Sequence, residues 1–113
     1  MKKRHRVPEA LQILGLARRA GAVASGTDAT RRSIRQGDAR LVLMAEDASP
    51  AQLDKIKRTM RHRMVPQVFL GDRATLGADI GRAPIAAVAV TDASLAGRLL
   101  ESVDGEILVE GRG

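Results

Sequence analysis

Two unbroken apolar runs, Leu41–Ala45 and Ile85–Val90, constrain the fold more than any other feature of the 113-residue sequence. A strand with one face in water alternates polar and apolar residues, whereas these runs contain no polar residue. They therefore predict strands that are buried on both faces. A sheet built on such strands needs a layer of helices on each side.

Amphipathic segments of helical length separate the short apolar runs. The first helix is expected from Pro8 to Gly21, where apolar residues recur with helical spacing. Further helices are expected over 28–36, after Asp72 and after Asp92, and further strands over 22–25, 67–70 and 107–109. The alternating order α-β-α-β-α-β-α-β-α predicts an α/β protein, a three-layer α/β/α sandwich.

The segment 49–52, Ser-Pro-Ala-Gln, predicts the start of the central helix. Ser49 is placed to cap the helix, Pro50 suits its first turn, and Gln52 completes a capping box. Lysines and arginines are expected on the exposed side of this helix. Its buried side is predicted to carry Leu53, Ile56, Met60 and Met64.

Length and cysteine content exclude several classes of protein. A chain of 113 residues has room for one substantial core, so we expect a flexible basic tail over 1–7 and a single domain over 8–113. Without cysteine, neither a disulfide scaffold nor a cysteine-ligated metal site can form. No apolar run approaches membrane-spanning length, and no signal sequence follows the basic start, so we expect a cytoplasmic protein.

Positive charge is concentrated in the first third of the chain. Residues 1–40 contain ten basic and three acidic residues, whereas residues 76–113 contain three and six. Such an asymmetric basic domain is typical of nucleic-acid-binding proteins. Phe69 is the only aromatic residue, so a stacking platform for bases cannot be built. RNA would have to be bound through phosphates, shape and base edges.

Residue patterns typical of catalysis or cofactor binding are missing. The two histidines, His5 and His62, lack partners at metal-ligand spacing. Glu46 and Asp47 are adjacent at the end of a strand, where side chains point to opposite faces, so turn and cap roles are expected. The glycines do not form a phosphate-binding loop motif. We therefore expect no enzyme activity, no cofactor and no metal.

The segment Gly26–Gly37 carries the strongest binding pattern. It places a strand-to-helix turn before a helix that contains Arg31, Arg32 and Arg35. Backbone N–H groups at a helix start suit a phosphate, and the arginines add charge. Asp28 is four residues before Arg32 and is placed to orient it toward a base edge.

This segment, together with others, resembles the kink-turn RNA-binding ribosomal protein family, most closely its bacterial members of the YlxQ type. The resemblance spans about residues 8–103 and implies an α/β/α sandwich around a small mixed sheet. The matching segments are Leu14–Gly21, Ser25–Gly26, Gly26–Gly37, Ala39–Pro50 and Leu76–Pro84.

The family pattern Gly-x-Asn-Glu-x-x-Lys is only partly kept. Gly26 matches the glycine, Asp28 stands at the Asn, Ala29 at the Glu and Arg32 at the Lys. Asp28 cannot donate the hydrogen bond of an amide, and Ala29 cannot accept one from a guanine amino group. Arg32 keeps the charge with a different donor geometry. Gly81–Ala87 matches a second RNA-facing loop.

The sequence therefore predicts a non-catalytic RNA-binding protein of the ribosomal, kink-turn type, associated with the ribosome or translation. Two alternatives remain: a protein-binding adaptor that uses the basic helix, or a stand-alone relative of the substrate domain of an RNA-modifying enzyme. The residues expected to contact RNA are Gly26, Thr27, Asp28, Arg31, Arg32, Arg35, Arg82, Ala83, Pro84, Ile85 and Ala86.

Overall fold

The computed structural model describes residues 7–103 and 108–110. The predicted tail, residues 1–7, lies outside them except for Val7, at which α1 begins. Helices and strands alternate along the chain. In order they are α1 (Val7–Arg19), β1 (Val23–Ser25), α2 (Thr27–Gln36), β2 (Leu41–Met44), α3 (Pro50–Thr59), β3 (Val65–Phe69), α4 (Arg73–Asp79), β4 (Ala87–Val90), α5 (Ala93–Ser102) and β5 (Leu108–Glu110).

The five strands form one mixed sheet in the order β1-β4-β2-β3-β5. β2 and β3 are parallel, and the other neighbouring strands are antiparallel. The central strand β2 pairs on both sides: Met44 lies opposite Ala87 of β4 and opposite Phe69 of β3. β1, β2 and β3 therefore end, and β4 begins, at the same edge of the sheet.

Helices cover both faces of the sheet, so the predicted three-layer sandwich is confirmed. Leu41 and Leu43 belong to a core cluster with α1, α4 and α5, whereas Val42 and Met44 belong to one with α2 and α3. All four side chains are fully buried, as expected for an unbroken apolar run. The strand thus contributes alternate side chains to two separate cores.

Helix starts follow the predicted caps. Ser49 Oγ accepts a hydrogen bond from Gln52 N at 3.1 Å, and Gln52 Oε1 accepts one from Ser49 N at 3.2 Å, which completes the capping box. Asp72 and Asp92 cap α4 and α5 through bonds of 2.8 and 2.9 Å. These side chains satisfy N–H groups that the first turn of a helix leaves unpaired.

The prediction of the residues on the buried side of α3 is wrong at Met64. Met64 is 64% exposed, whereas Ile56 and Met60 are buried. The helix ends at Thr59 with Met60 as its C-cap, so Met64 lies beyond the helical period. No helix in the described part of the chain is long and apolar enough to cross a membrane.

Gly77 allows α4 to lie against the loop that follows it. A Cβ atom at this position would lie 2.2 Å from the carbonyl oxygen of Ala83 and 2.7 Å from its carbonyl carbon. Both atoms are backbone, so they cannot move aside by a change of rotamer. Arg82 N also donates to Gly77 O at 2.7 Å, which holds the loop to the helix.

We expect Gly77→Ala to destabilise the protein by about 1–3 kcal/mol, because the added methyl group overpacks the contact with the loop. Gly97→Ala is the matched control: Gly97 also lies inside a helix, but its Cβ would meet no atom within 4 Å. The free energy of unfolding of the control should rise by about 0.5–1 kcal/mol, because alanine favours a helix over glycine. Chemical unfolding measures this free energy for both variants, and an equal increase in both would show that Gly77 does not lie against the backbone of Ala83.

Candidate functional site

A groove of about 390 Å³ opens at the sheet edge where β1, β2 and β3 end. Two segments that were predicted separately from the sequence meet here: 26–28, at the start of α2, and 84–86, before β4. The backbone fixes their proximity, because Gly26 N donates to Ala87 O at 2.9 Å. Ala45 N likewise donates to Ala86 O at 2.8 Å.

Three helices begin beside the groove. Thr27 is the first residue of α2, Gln52 lies in the first turn of α3, and Arg73 is the first residue of α4. Each helix follows a strand that ends at this edge, so the arrangement is a consequence of the topology. Helix N-termini carry partial positive charge, and α2 lacks the side-chain cap that α3 and α4 have. The groove is therefore suited to an anionic ligand.

Gly26 makes the turn into α2 possible. Its φ of 95° and ψ of 163° are a combination that residues with a side chain rarely adopt. Gly26 provides no side-chain cap, and Thr30 N donates to Gly26 O at 2.9 Å. The N–H groups of residues 27–29 consequently have no backbone partner within the described part of the chain. They remain available to a ligand.

The loop before β4 presents two kinds of residue. Arg82, Ala83 and Pro84 are exposed, whereas the side chains of Ile85 and Ala86 are buried in the core. Ile85 N donates to Arg73 O at 3.1 Å, which fixes the loop against the start of α4. Ile85 and Ala86 line the groove but offer it little side-chain surface. Both residues were predicted to contact RNA, but their buried side chains mainly position the exposed residues before them.

The three arginines of α2 differ in their surroundings. Arg31 is half-buried, and its Nε donates to Thr59 Oγ1 of α3 at 2.9 Å. Arg32 and Arg35 are exposed. None of the three lines the groove; they extend along the helix away from it.

The expected pairing of Asp28 with Arg32 is wrong. No ion pair joins them in the structure, although both residues are described. Asp28 is exposed beside the N-terminus of α2, where the partial positive charge of the helix favours a carboxylate without help from Arg32. Asp28 lines the groove and Arg32 remains free to meet a ligand.

Sequence reasoning missed the side of the groove formed by Gln52, Lys55 and Arg73. Asp47, predicted to serve a turn or cap, fixes Arg73: its Oδ1 accepts from Arg73 N at 2.8 Å and its Oδ2 lies 3.5 Å from Arg73 Nε. The capping box at 49–52 was a usable signal, because it marks the start of a helix at the same sheet edge. The Asp47–Arg73 contact joins residues 26 apart, and no local pattern indicates it.

The charge beside the groove is mixed. Hydrogen bonds from Thr75 hold the pKa of Asp72, next to Arg73, below its usual range. Asp72 therefore stays ionised to a lower pH than an ordinary aspartate. Within residues 7–103 and 108–110, no three acidic or histidine side chains are placed to hold a metal ion. The groove thus offers backbone N–H groups, two cationic side chains and a small number of carboxylates.

Comparison with known sequences agrees with this architecture. Residues 9–99 match the ribosomal protein L7Ae/L30e/S12e/Gadd45 family. The chain is 40% identical over 92 residues to the RNA-binding protein YlxQ of Bacillus subtilis, covering 81% of this chain and 92% of that protein. It is 32% identical over 85 residues to the large ribosomal subunit protein eL8 of Thermoplasma volcanium, covering 74% and 70%.

Solved structures show the same fold. A protein of unknown function from Bacillus halodurans C has a TM-score of 0.77 at 27% identity, covering 82% of this chain and 94% of that one. The 15.5kD RNA binding protein of Giardia lamblia has a TM-score of 0.65 at 20% identity, covering 85% and 82%. The resemblance noted in the sequence is thereby confirmed: the chain belongs to the ribosomal protein L7Ae/L30e/S12e/Gadd45 family.

Proposed function

We propose that this protein binds structured RNA at the groove, as a non-catalytic protein of the ribosomal, kink-turn type. The observation that carries the proposal is the meeting of the α2 start, residues 26–28, with the loop 84–86 at one sheet edge. The 40% identity to an RNA-binding protein along most of the chain supports it.

The groove would bind RNA mainly through its backbone phosphates. Unpaired N–H groups at the start of α2 suit phosphate oxygens, and Lys55 and Arg73 add charge. Gly26 has no Cβ, so a phosphate group can approach the backbone closely. Arg82 on the loop and Arg31, Arg32 and Arg35 on α2 would extend the contact to either side.

Base recognition would be weaker than phosphate binding. Asp28 accepts but does not donate hydrogen bonds, and its charge repels phosphates. Ala29 has no polar group with which to read a guanine. We therefore infer that the protein distinguishes a kink-turn from a plain duplex only modestly.

The relatives also bear on the rival functions. Their names denote RNA-binding and ribosomal proteins rather than enzymes, which supports a non-catalytic role in ribosome or translation work. Ribosomal relatives likewise support the proposal that the protein acts in the cytoplasm. A protein-binding adaptor that uses α2 would need neither the groove nor the loop 82–86, and the experiments below separate it from an RNA-binding protein.

RNA affinity is expected to fall steeply with salt, because phosphate contacts release counterions. If about four to six phosphates are contacted, the slope of log K against log salt should be roughly −3 to −5. Titration of a structured RNA at several salt concentrations measures this slope. Affinity that is indifferent to salt would contradict phosphate binding and favour the adaptor.

Arg32→Glu should weaken RNA binding by on the order of ten- to a hundredfold, because a charged hydrogen-bond partner is replaced by a repelling one. Stability should change by less than about 0.5 kcal/mol, since Arg32 is exposed and makes no ion pair. Arg98→Glu, an equal charge change on the exposed surface of α5, is the control. An equal loss of RNA affinity in both variants would show that Arg32 does not contact the RNA.

Restoring the family pattern with Asp28→Asn and Ala29→Glu should widen the preference for kink-turn RNA over a plain duplex. Asn both donates and accepts, and Glu accepts from a guanine amino group. A bidentate base contact contributes about 1–3 kcal/mol of discrimination in DNA complexes, which sets the scale. Titrations of both RNAs give the ratio of affinities for each protein.

The ratio is the proper measurement because the added carboxylate weakens binding to both RNAs. Strong discrimination by the unmodified protein would show that Asp28 and Ala29 are not deficiencies. An unchanged ratio in the double variant would show that the start of α2 does not face the bases.

A further inference from the structure

A second basic surface lies at the opposite end of α2 and α3 from the groove. It is formed by Arg35, Arg40, Arg61 and Arg63, and we call it the distal cluster. All four residues are exposed. None of the four lines the groove, and only Arg35, at the end of α2, is among the RNA contacts proposed above.

The fold brings these residues together from three segments. α2 and α3 run in the same direction: Arg31 contacts Thr59, and one turn later the Arg63 side chain donates to Arg35 O at 2.7 Å. β2 and β3 are parallel with Val42 opposite Gln67, so Arg40 is level with the start of β3, just after Arg63. Neighbouring strands lie about 4.8 Å apart. Arg35, Arg40 and Arg63 therefore lie at the same end of the molecule, and Arg61 precedes Arg63 by two residues.

The arginines of the distal cluster are unpaired among the described residues, although Asp38 lies in the same loop as Arg40. None of them forms an ion pair in the described part of the chain. Elsewhere Arg58 is paired with Asp54 and Arg73 with Asp47. Unpaired cations that share a surface repel one another, and a polyanion that neutralises them gains that energy.

One structural role is already visible in the cluster. Arg63 donates to a carbonyl in the last turn of α2, where the helix dipole favours a cation. That role explains Arg63 but not Arg61 or Arg40, whose side chains make no hydrogen bond in the described structure. Arg40 and Arg61 are therefore the residues whose substitution tests for a ligand at the distal cluster.

The distal cluster is too far from the groove to share the same phosphates. α2 has ten residues, and a helix of that length spans about 15 Å. We propose that the distal cluster binds the phosphate backbone of a second segment of double-stranded RNA, so that one protein holds two segments of structured RNA at once. The proposal rests on the proposed RNA-binding function of the groove.

The test compares two RNAs: a short stem with a kinked internal loop that fills the groove, and the same stem extended by a plain duplex. Arg40→Glu combined with Arg61→Glu should leave binding of the short RNA close to that of the control. The same variant should lose on the order of tenfold or more for the extended RNA, with a salt slope shallower by about 2.

Lys57→Glu combined with Arg98→Glu is the control, since both residues are exposed, lie outside the cluster and the groove, and give an equal charge change. Thermal unfolding verifies that both double variants fold.

Three outcomes would overturn the proposal: equal loss in the two double variants, no gain in affinity from the extended duplex, or loss confined to the short RNA. Failure of the proposed groove function gives a different pattern. In that case the unmodified protein does not bind the short RNA, or Arg32→Glu leaves its affinity unchanged.

Discussion

Burial of β2 on both faces is the constraint on which the structure depends. Leu41 and Leu43 complete one core, and Val42 and Met44 complete the other. Fully burying each of these side chains contributes about 1.5–3 kcal/mol. Because β2 also pairs with β3 on one side and β4 on the other, it fixes which strands end together. The groove exists because β1, β2 and β3 end beside the beginning of β4.

The elements of the fold were predictable because their signals are local. The apolar run at 41–45 predicted a buried strand. The caps Ser49, Asp72 and Asp92 predicted three helix starts within a residue of their observed positions. The error at Met64 has a physical cause. Helical spacing continues through Met60 in the sequence, but Met60 ends the helix, and the chain turns before β3.

Only part of the site could be predicted from the sequence, because some of its contacts join segments that are far apart in the chain. Gly26 and the arginines of α2 lie in one segment, and the loop 82–86 was found through family resemblance. Arg73 joins the site because Asp47 holds both its backbone N–H and its side chain, and Asp47 follows β2 whereas Arg73 begins α4. Pairing at such separation is decided by strand order, which a single sequence does not specify. The supposed Asp28–Arg32 pair shows the converse error, since suitable spacing on a helix does not ensure contact.

Topology also gives the two ends of the molecule different electrostatics. Where α2, α3 and α4 begin beside the groove, each cation adds to the positive ends of the helix dipoles. At the other end, where α2 and α3 finish, a cation must first offset the negative ends, as Arg63 does at Arg35 O. The groove combines these dipoles with few cations: it also holds Asp28, and Arg73 is paired with Asp47. The distal cluster has more unpaired cations but faces the negative helix ends, so the two surfaces would attract phosphate by different means, the groove through the N–H groups of α2 and the distal cluster through its charge.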